Sequence, residues 1–441
     1  MKIYKKILIG FISVLCFGLL IPQITSCNNG TEGLEFKLVD GESYTVVKYT
    51  GVDTDVIIPS KYKSKPVVSI GSFAFSGCSS LTSVTIGNGV TNIGVSAFYG
   101  CSSLETIVIP DSVTSIFPQA FSMCSSLTSI TIPDSVTSIG NAAFSECSSL
   151  ETIVIPDSVT SIGYIAFEGC NSLEYNKYDN GLYLGNEKNP YLAFMQPTNK
   201  EITTCEISEN TKIISDYAFY WCGSLTNITM PDSVTSIGYN AFSGCMSLKS
   251  IVIPDSVTSI EDAFDKCSSL EYNKYDNGLY LGNEKNPYLA FIKTTNEEIT
   301  TCEISENTKI IAGGAFELCS SLETIVIPDS VTSISYSAFA KAGYSALKNV
   351  TIPAIAISFI PKSHLQVVII TSGDTIPDHA FFDCDSLTSI TIPKSVTSIG
   401  HGAFFLCDSL STIYYTGTEE EWNKIDNDSL TDATIIYNYK S

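Results

Sequence analysis

Residues 124–147 read Cys124-Ser-Ser-Leu127-Thr-Ser-Ile130-Thr-Ile132-Pro133-Asp-Ser-Val136-Thr-Ser-Ile139-Gly140-Asn-Ala-Ala143-Phe144-Ser-Glu-Cys147. Near copies of this stretch are headed by Cys78, Cys101, Cys124, Cys147 and Cys170, an interval of 23 residues. A fixed period of this length, with Leu and Ile at set offsets, is the signature of a solenoid whose units bury their apolar faces only against their neighbours. Within one unit, the Ile and Thr alternation from Leu127 to Ile132 predicts a half-buried strand that Pro133 ends. Asp134-Ser135 supplies turn chemistry, Val136 to Gly140 a second short extended segment, and Ala143-Phe144 a compact turn leading into the next Cys. Each repeat is therefore one coil, and equivalent strands of successive coils are expected to pair in parallel. The Leu-x-x-Ile-x-Ile pattern and its variants start at Leu81, Leu104, Leu127, Leu150, Ile202, Leu225, Leu248, Ile299, Leu322, Leu347, Leu365, Leu387 and Leu410. Those 13 coils, at about 4.8 Å each, predict a rod on the order of 60 Å long before its ends are added.

The chain has 441 residues, and since a solenoid grows by adding coils, its length implies one long domain. It carries 46 acidic against 24 basic side chains, all of the latter Lys, for a formal charge of -22. Nucleic-acid binding, which rests on clustered Lys and Arg, is not expected. The acidic balance suits solubility and basic protein partners. At the start, Lys2, Lys5 and Lys6 precede an apolar run from Ile7 to Ile21, too short for a comfortable membrane span, followed by Pro22 and Ile24-Thr25-Ser26-Cys27. The stretch resembles a bacterial lipoprotein signal, with Ile24 where the usual box has Leu. That resemblance implies cleavage after Ser26, lipidation of Cys27 and an extracytoplasmic, lipid-anchored mature chain, or a secreted one if Cys27 is not lipidated. Setting aside Cys16 and Cys27, the remainder of the 15 cysteines is odd in number, and most follow an Ala-Phe pair at one equivalent site. They are read as core thiols. No short Cys or His spacing such as C-x-x-C occurs, so no metal site and no cofactor are expected.

A larger duplication overlies the small one. Ser172–Phe194 recurs unchanged as Ser269–Phe291, and Glu201–Ile214 as Glu298–Ile311. Inside the copy, Leu182 to Gly185, a polar turn and a return to Phe194 predict a hairpin leaving the regular coil, at about residues 172–201 and 269–298. The terminal coils need covers. Leu34 to Pro59 reads as a β-rich cap within residues 27–66, and residues 413–441 as a C-terminal cap, with Thr418 and Glu421 spaced for a capping box and Trp422 buried.

The Ala-Phe pair, the Cys-x-Ser-Leu start and the Ile-Pro-x-Ser-Val-Thr-Ser-Ile-Gly middle resemble the BspA-like leucine-rich repeat over Val67 to about Ile413. The resemblance implies a right-handed coil with a parallel β-sheet over residues 67–412. It departs from the commoner leucine-rich repeat in lacking the inward Asn, with Ser135 and Ser158 nearby. It also implies a bacterial surface protein that adheres to host matrix proteins, host cells or other bacteria.

The three histidines, His364, His379 and His401, sit at unrelated offsets and suggest no nucleophile-base arrangement, so no enzyme is expected. Function is then sought on the outward positions of the main strands, among them Glu151, Thr152, Glu323 and Thr324. The tyrosines of the two copies join them: Tyr175, Tyr178, Tyr183 and Tyr191, and Tyr272, Tyr275, Tyr280 and Tyr288. Tyrosine supplies contact area with a polar handle. The expected partners are proteins, contact with the membrane is through the N-terminal lipid alone, and the chain is read as a monomer. Alternative readings are a non-catalytic structural part of the cell envelope, or a glycan binder using the Thr rows.

Overall fold

The computed structural model describes residues 30–340, 346–425 and 433–440. The leader and Cys27 lie outside these residues. The chain is a β-solenoid of about 17 turns with parallel sheets and almost no helix. Four turns go beyond those the Leu-x-x-Ile-x-Ile pattern marks. Asp55–Ile58 pairs in parallel with Ser83–Ile86, and Thr434–Ile436 with Thr412–Tyr415. The backbone after Leu173 and after Leu270 also stacks on the preceding coil, Glu174 N donating to Glu151 O and Glu271 N to Lys249 O.

Each coil contributes to two ladders. The main strands pair in register, as Ile130 with Ile153, and the short second strands likewise, as Ile139 with Ile162. Leu127, Ile130, Ile132, Val136, Ile139, Ala143, Phe144 and Cys147 of one repeat all lie in the core. Each large aliphatic buried this way contributes roughly 1.5–3 kcal/mol, which is why an apolar residue recurs at each of these offsets. Coil spacing also sets the aromatic stack: Phe98, Phe121, Phe144 and Phe167 follow one another with centroids 5.3–5.5 Å apart and rings within 9° of parallel.

Two hydroxyl and thiol ladders explain the conserved pattern of small polar residues along the repeats. The Sγ–H of Cys124 donates to Phe98 O at 3.2 Å, and that of Cys147 to Phe121 O at 3.1 Å, so the thiol satisfies a carbonyl of the coil before. Burial pushes the Cys147 and Cys170 thiols up to about 12, leaving them protonated donors at neutral pH. The inward Asn of other leucine-rich repeats is replaced by Ser: Ser135 Oγ donates to Val113 O at 2.6 Å and Ser158 Oγ to Val136 O at 2.8 Å.

At the N-terminal end, Leu34–Val39 and Ser43–Tyr49 form an antiparallel pair that joins the second ladder through Lys65–Ile70. At the other end Thr418 and Glu421 form both bonds of a capping box at the helix Glu419–Trp422. Trp422 is 3 % exposed and meets Tyr415 edge-on.

The duplicated cassettes differ from the expected projecting hairpin. Asn176–Tyr178, Gly181–Leu184 and Ala193–Pro197 form a three-stranded antiparallel meander, and Ala193-Phe194 then pairs in parallel with Ile213–Ile214 of the second ladder. The polar turn docks back on the rod. Ile155 N donates to Gly185 O, and Asn186 Nδ2 to Ile155 O. A Cβ at Gly185 would lie 2.0 Å from Asn189 O, so only glycine permits this close turn. The cassette is thus an irregular coil held by its own Asn side chains. The aromatic stack is interrupted there and restarts at Phe194, which lies 4.5 Å from Phe219; the second cassette does the same with Phe291 and Phe316. The core accordingly divides into three clusters that meet at the cassettes.

Candidate functional site

Because main strands pair in register, their outward side chains line up across coils. One such column runs Thr85, Val108 and, further on, Thr131 and Val154, with Glu206, Thr229 and Val252 beyond the first cassette. Val108, Val154 and Val252 are exposed at 60 %, 42 % and 57 %, more than an interior strand residue would be. The register continues through Glu303, Val326, Thr351, Ile369, Thr391, Tyr414 and Ile436, but there Val326, Thr351, Ile369 and Tyr414 are half-buried and Thr391 is buried. Glu151 and Thr152 are exposed on this face. Glu323 is also exposed and pairs with Lys348 at 2.9 Å, while Thr324 beside it is half-buried.

The eight tyrosines divide. Tyr183 and Tyr280 are fully buried, edge-on to Phe194 and Phe291, with their hydroxyls accepting from Ser208 N and Ser305 N. They are core residues, and the surface reading of them is corrected. Each follows a half-buried leucine, Leu182 or Leu279, and alternation along the strand puts its ring on the inner face, while the bulged residue is Met195 or Ile292 on the return strand. Tyr178 and Tyr275 stay at the surface, donating to Glu206 Oε1 and Glu303 Oε1 and packing edge-on against the half-buried Tyr191 and Tyr288. Tyr175 and Tyr272 are half-buried, and burial pushes Tyr175 up to about 12.

Each cassette also opens a cleft between the coil before it and the coil after it, which sequence reasoning missed. The first holds about 450 Å³ and is lined by the turn 163–171, by Met195-Gln196-Pro197 and by the turn 215–222. The second holds about 390 Å³ and is lined by Glu261–Asp265, Ile292–Glu297 and Gly313–Leu318. Burial pushes the Asp216 carboxyl in the first cleft up to about 6, against the bond it accepts from Tyr239 N, and Glu261 adds to the rise. Among the described residues no group of three His, Cys, Asp or Glu is placed to hold a metal ion, and no helix is long and apolar enough to cross a membrane.

The profile of the "BspA type Leucine rich repeat region (6 copies)" matches residues 54–174, 192–285, 288–367 and 358–439. Among solved structures, a leucine-rich cell surface protein of Faecalibacterium prausnitzii is 31 % identical, covering 91 % of this chain and 98 % of its own, with a TM-score of 0.33. A leucine-rich repeat protein of Bacteroides ovatus is 26 % identical over 87 % of this chain and 81 % of its own, TM-score 0.28. The pneumococcal vaccine antigen PcpA is 16 % identical over 91 % and 89 %, TM-score 0.29. No curated protein matches the chain. The fold and the repeats are those of surface scaffold proteins, and the chain belongs to the BspA-type leucine-rich-repeat family.

Proposed function

We propose that this chain is a lipid-anchored surface scaffold that holds protein partners, on host matrix, host cells or other bacteria, against the outward face of its main sheet. The in-register column of Thr, Val and Glu carries the reading. It exposes Val108 and Val154 on strands and Val252 at the equivalent place of a later coil, and repetition lets weak contacts on successive coils add. The acidic excess favours partners with a basic patch and makes association salt-sensitive. Anchoring at Cys27 would keep the rod at the cell surface, and the relative in F. prausnitzii is described as a cell surface protein.

The test offers the secreted Cys27→Ala chain to immobilised fibronectin, fibrinogen and mucin and to bacterial cells. Saturable, salt-sensitive binding that Val108→Asp and Val154→Asp together abolish supports the proposal. Binding to none of them sinks the adhesive reading. Crosslinking on intact cells that recovers only bacterial envelope proteins would favour a structural role in the envelope instead. Loss of surface retention in Cys27→Ala is the expected sign of the anchor.

A further inference from the structure

We infer that the first cassette cleft is a binding site for neutral carbohydrate, separate from the protein-binding face. The turn coils on either side bring together aromatic rings that no core packing requires. Tyr164 and Tyr217, 53 positions apart in the chain, meet with centroids 4.0 Å apart. Tyr217 further contacts Tyr220 at 4.9 Å and Tyr239 at 5.6 Å, and Tyr220 meets Trp221 at 6.1 Å. Tyr164, Tyr217 and Tyr220 thus form an aromatic ledge in the lining of the cleft, with Tyr164 exposed at 38 %, and Trp221, exposed at 46 %, adjoins Tyr220 just outside it.

Tyr217 and Trp221 sit at φ 56° and 59°, the left-handed conformation that the turn takes at these two offsets in coil after coil, as at Gln119 and Met123 or at Ala142 and Glu146. At the position equivalent to Tyr217 the second cassette has Gly314, and at that equivalent to Trp221 the following coil has Gly244. The missing side chain at Gly244 makes room for the indole: a Cβ there would lie 3.0 Å from Trp221 Cδ2. Asn240 Nδ2 donates to the Tyr217 hydroxyl at 3.0 Å and fixes its ring.

The chemistry of the lining selects the ligand. A sugar ring offers one apolar C–H face and a rim of hydroxyls, which calls for flat aromatic faces beside converging donors and acceptors. The cleft pairs its ledge with Glu168, Asn171, Gln196, Lys200 and Asp216. Two carboxyl groups against one ammonium disfavour an anionic sugar. A wholly apolar side chain of a protein partner would leave these polar groups unsatisfied.

The second cleft is a built-in control. It shares the meander's pairing and its sequence through Phe291, yet Asp262, Gly314, Glu317 and Leu318 stand where the first has Tyr164, Tyr217, Tyr220 and Trp221. The two tryptophans of the chain also separate the signals, since Trp422 is 3 % exposed in the C-terminal cap.

The experiment titrates the full Cys27→Ala chain with maltotriose, cellotriose, chitotriose and xylotriose, following intrinsic fluorescence, with sialyllactose as the anionic comparison. At least one neutral trisaccharide is expected to give a saturable change that Trp221→Leu removes. Calorimetry should show binding weakened by about tenfold or more in Tyr217→Gly and retained in Tyr217→Phe. Unchanged circular dichroism and melting of Trp221→Leu, a surface substitution, establish that the fold is kept. No response to any neutral sugar at millimolar concentration overturns the proposal, as does equal binding by Tyr217→Gly or a preference for sialyllactose. If these variants abolish capture of a matrix protein while no sugar binds, the ledge is a protein contact and the carbohydrate assignment falls. The main-face proposal is tested independently, through Val108 and Val154.

Discussion

The two cassettes share every residue from Ser172 to Phe194 and from Ser269 to Phe291, and they share their internal architecture. Asn176 Nδ2 and Asn273 Nδ2 each donate to a proline carbonyl at 2.9 Å, and the carboxylates of Asp179 and Asp276 each accept from a backbone N–H at 2.8 Å. Yet they open onto different clefts. The first is lined by Tyr164, Tyr217 and Tyr220, the second at the equivalent places by Asp262, Gly314 and Glu317. The reason lies just outside the copied segment, where Pro197 became Thr294, Lys200 became Glu297, and Asp216-Tyr217 became Gly313-Gly314. Thr294 stitches its cassette to the next coil, N–H to Ala315 O at 3.2 Å and hydroxyl to Cys319 Sγ at 3.3 Å. Pro197 has no N–H to offer the equivalent carbonyl. A copied segment thus carries its fold with it, whereas the chemistry of the gap it creates is set by its neighbours.

The common half of this comparison is open to the strongest test. Phe194→Ala and Phe291→Ala each remove a fully buried ring that restarts a stack, and each should cost about 3–5 kcal/mol in denaturant unfolding. If the cores are equivalent, the two losses agree to within about 1 kcal/mol; a larger gap would break the claim.

The differing half is tested first through Asp216, which has Gly313 as its counterpart. Its folded pKa of about 6 lies above the usual carboxylate value near 4, so the folded state holds its proton more tightly than the unfolded chain. Stability from this group is therefore greatest below about pH 4, falls as pH rises from about 4 to 6, and stays reduced above that. Asp216→Asn keeps the acceptor for Tyr239 N, as Asn141 does for Tyr164 N at 3.1 Å. It should raise stability at pH 7 by about 1–2 kcal/mol, discounted for partial exposure, and change nothing near pH 4. Melting curves across that range decide it.

Grafting sharpens the contrast further. In a Trp221→Leu background, Asp262→Tyr, Gly314→Tyr, Glu317→Tyr and Leu318→Trp rebuild the ledge on the second cleft. At Gly314 the atoms nearest to a Cβ are those of the Asp262 carboxyl, which the graft replaces, and the new tyrosine would have to take up a left-handed φ near 67°, as Tyr217 does at the equivalent position with φ 56°. Titration should then restore carbohydrate binding to within about tenfold of the native cleft, a difference of about 1.4 kcal/mol. The smallest effect is expected of Thr294→Val, which removes the hydroxyl meeting Cys319 but keeps the backbone bond; thermal unfolding should register about 1 kcal/mol. A zero effect would mean that the side-chain stitch contributes nothing and that the backbone bond alone distinguishes the two junctions.

Most of the regular rod was legible in the sequence because every repeat offers the same apolar offsets. Leu127, Ile130 and Phe144 read as core and are core. The turns at Val56, Leu173, Leu270 and Ile435 were not marked, since they keep the parallel stacking without the full Leu-x-x-Ile-x-Ile spacing. Among the tyrosines, alternation along a strand separates inside from outside, but which face is inward depends on what the strand packs against. Tyr183 packs inward against Phe194 while Tyr178 remains at the surface.

What the sequence determined by itself was the coil: the period, the buried offsets and the thiol and hydroxyl positions all follow from local alternation and repetition. The first cleft was decided only by tertiary structure. Tyr164 and Tyr217 belong to no repeated motif, and they become neighbours because the intervening cassette folds back and stacks the coils before and after it within reach of one another.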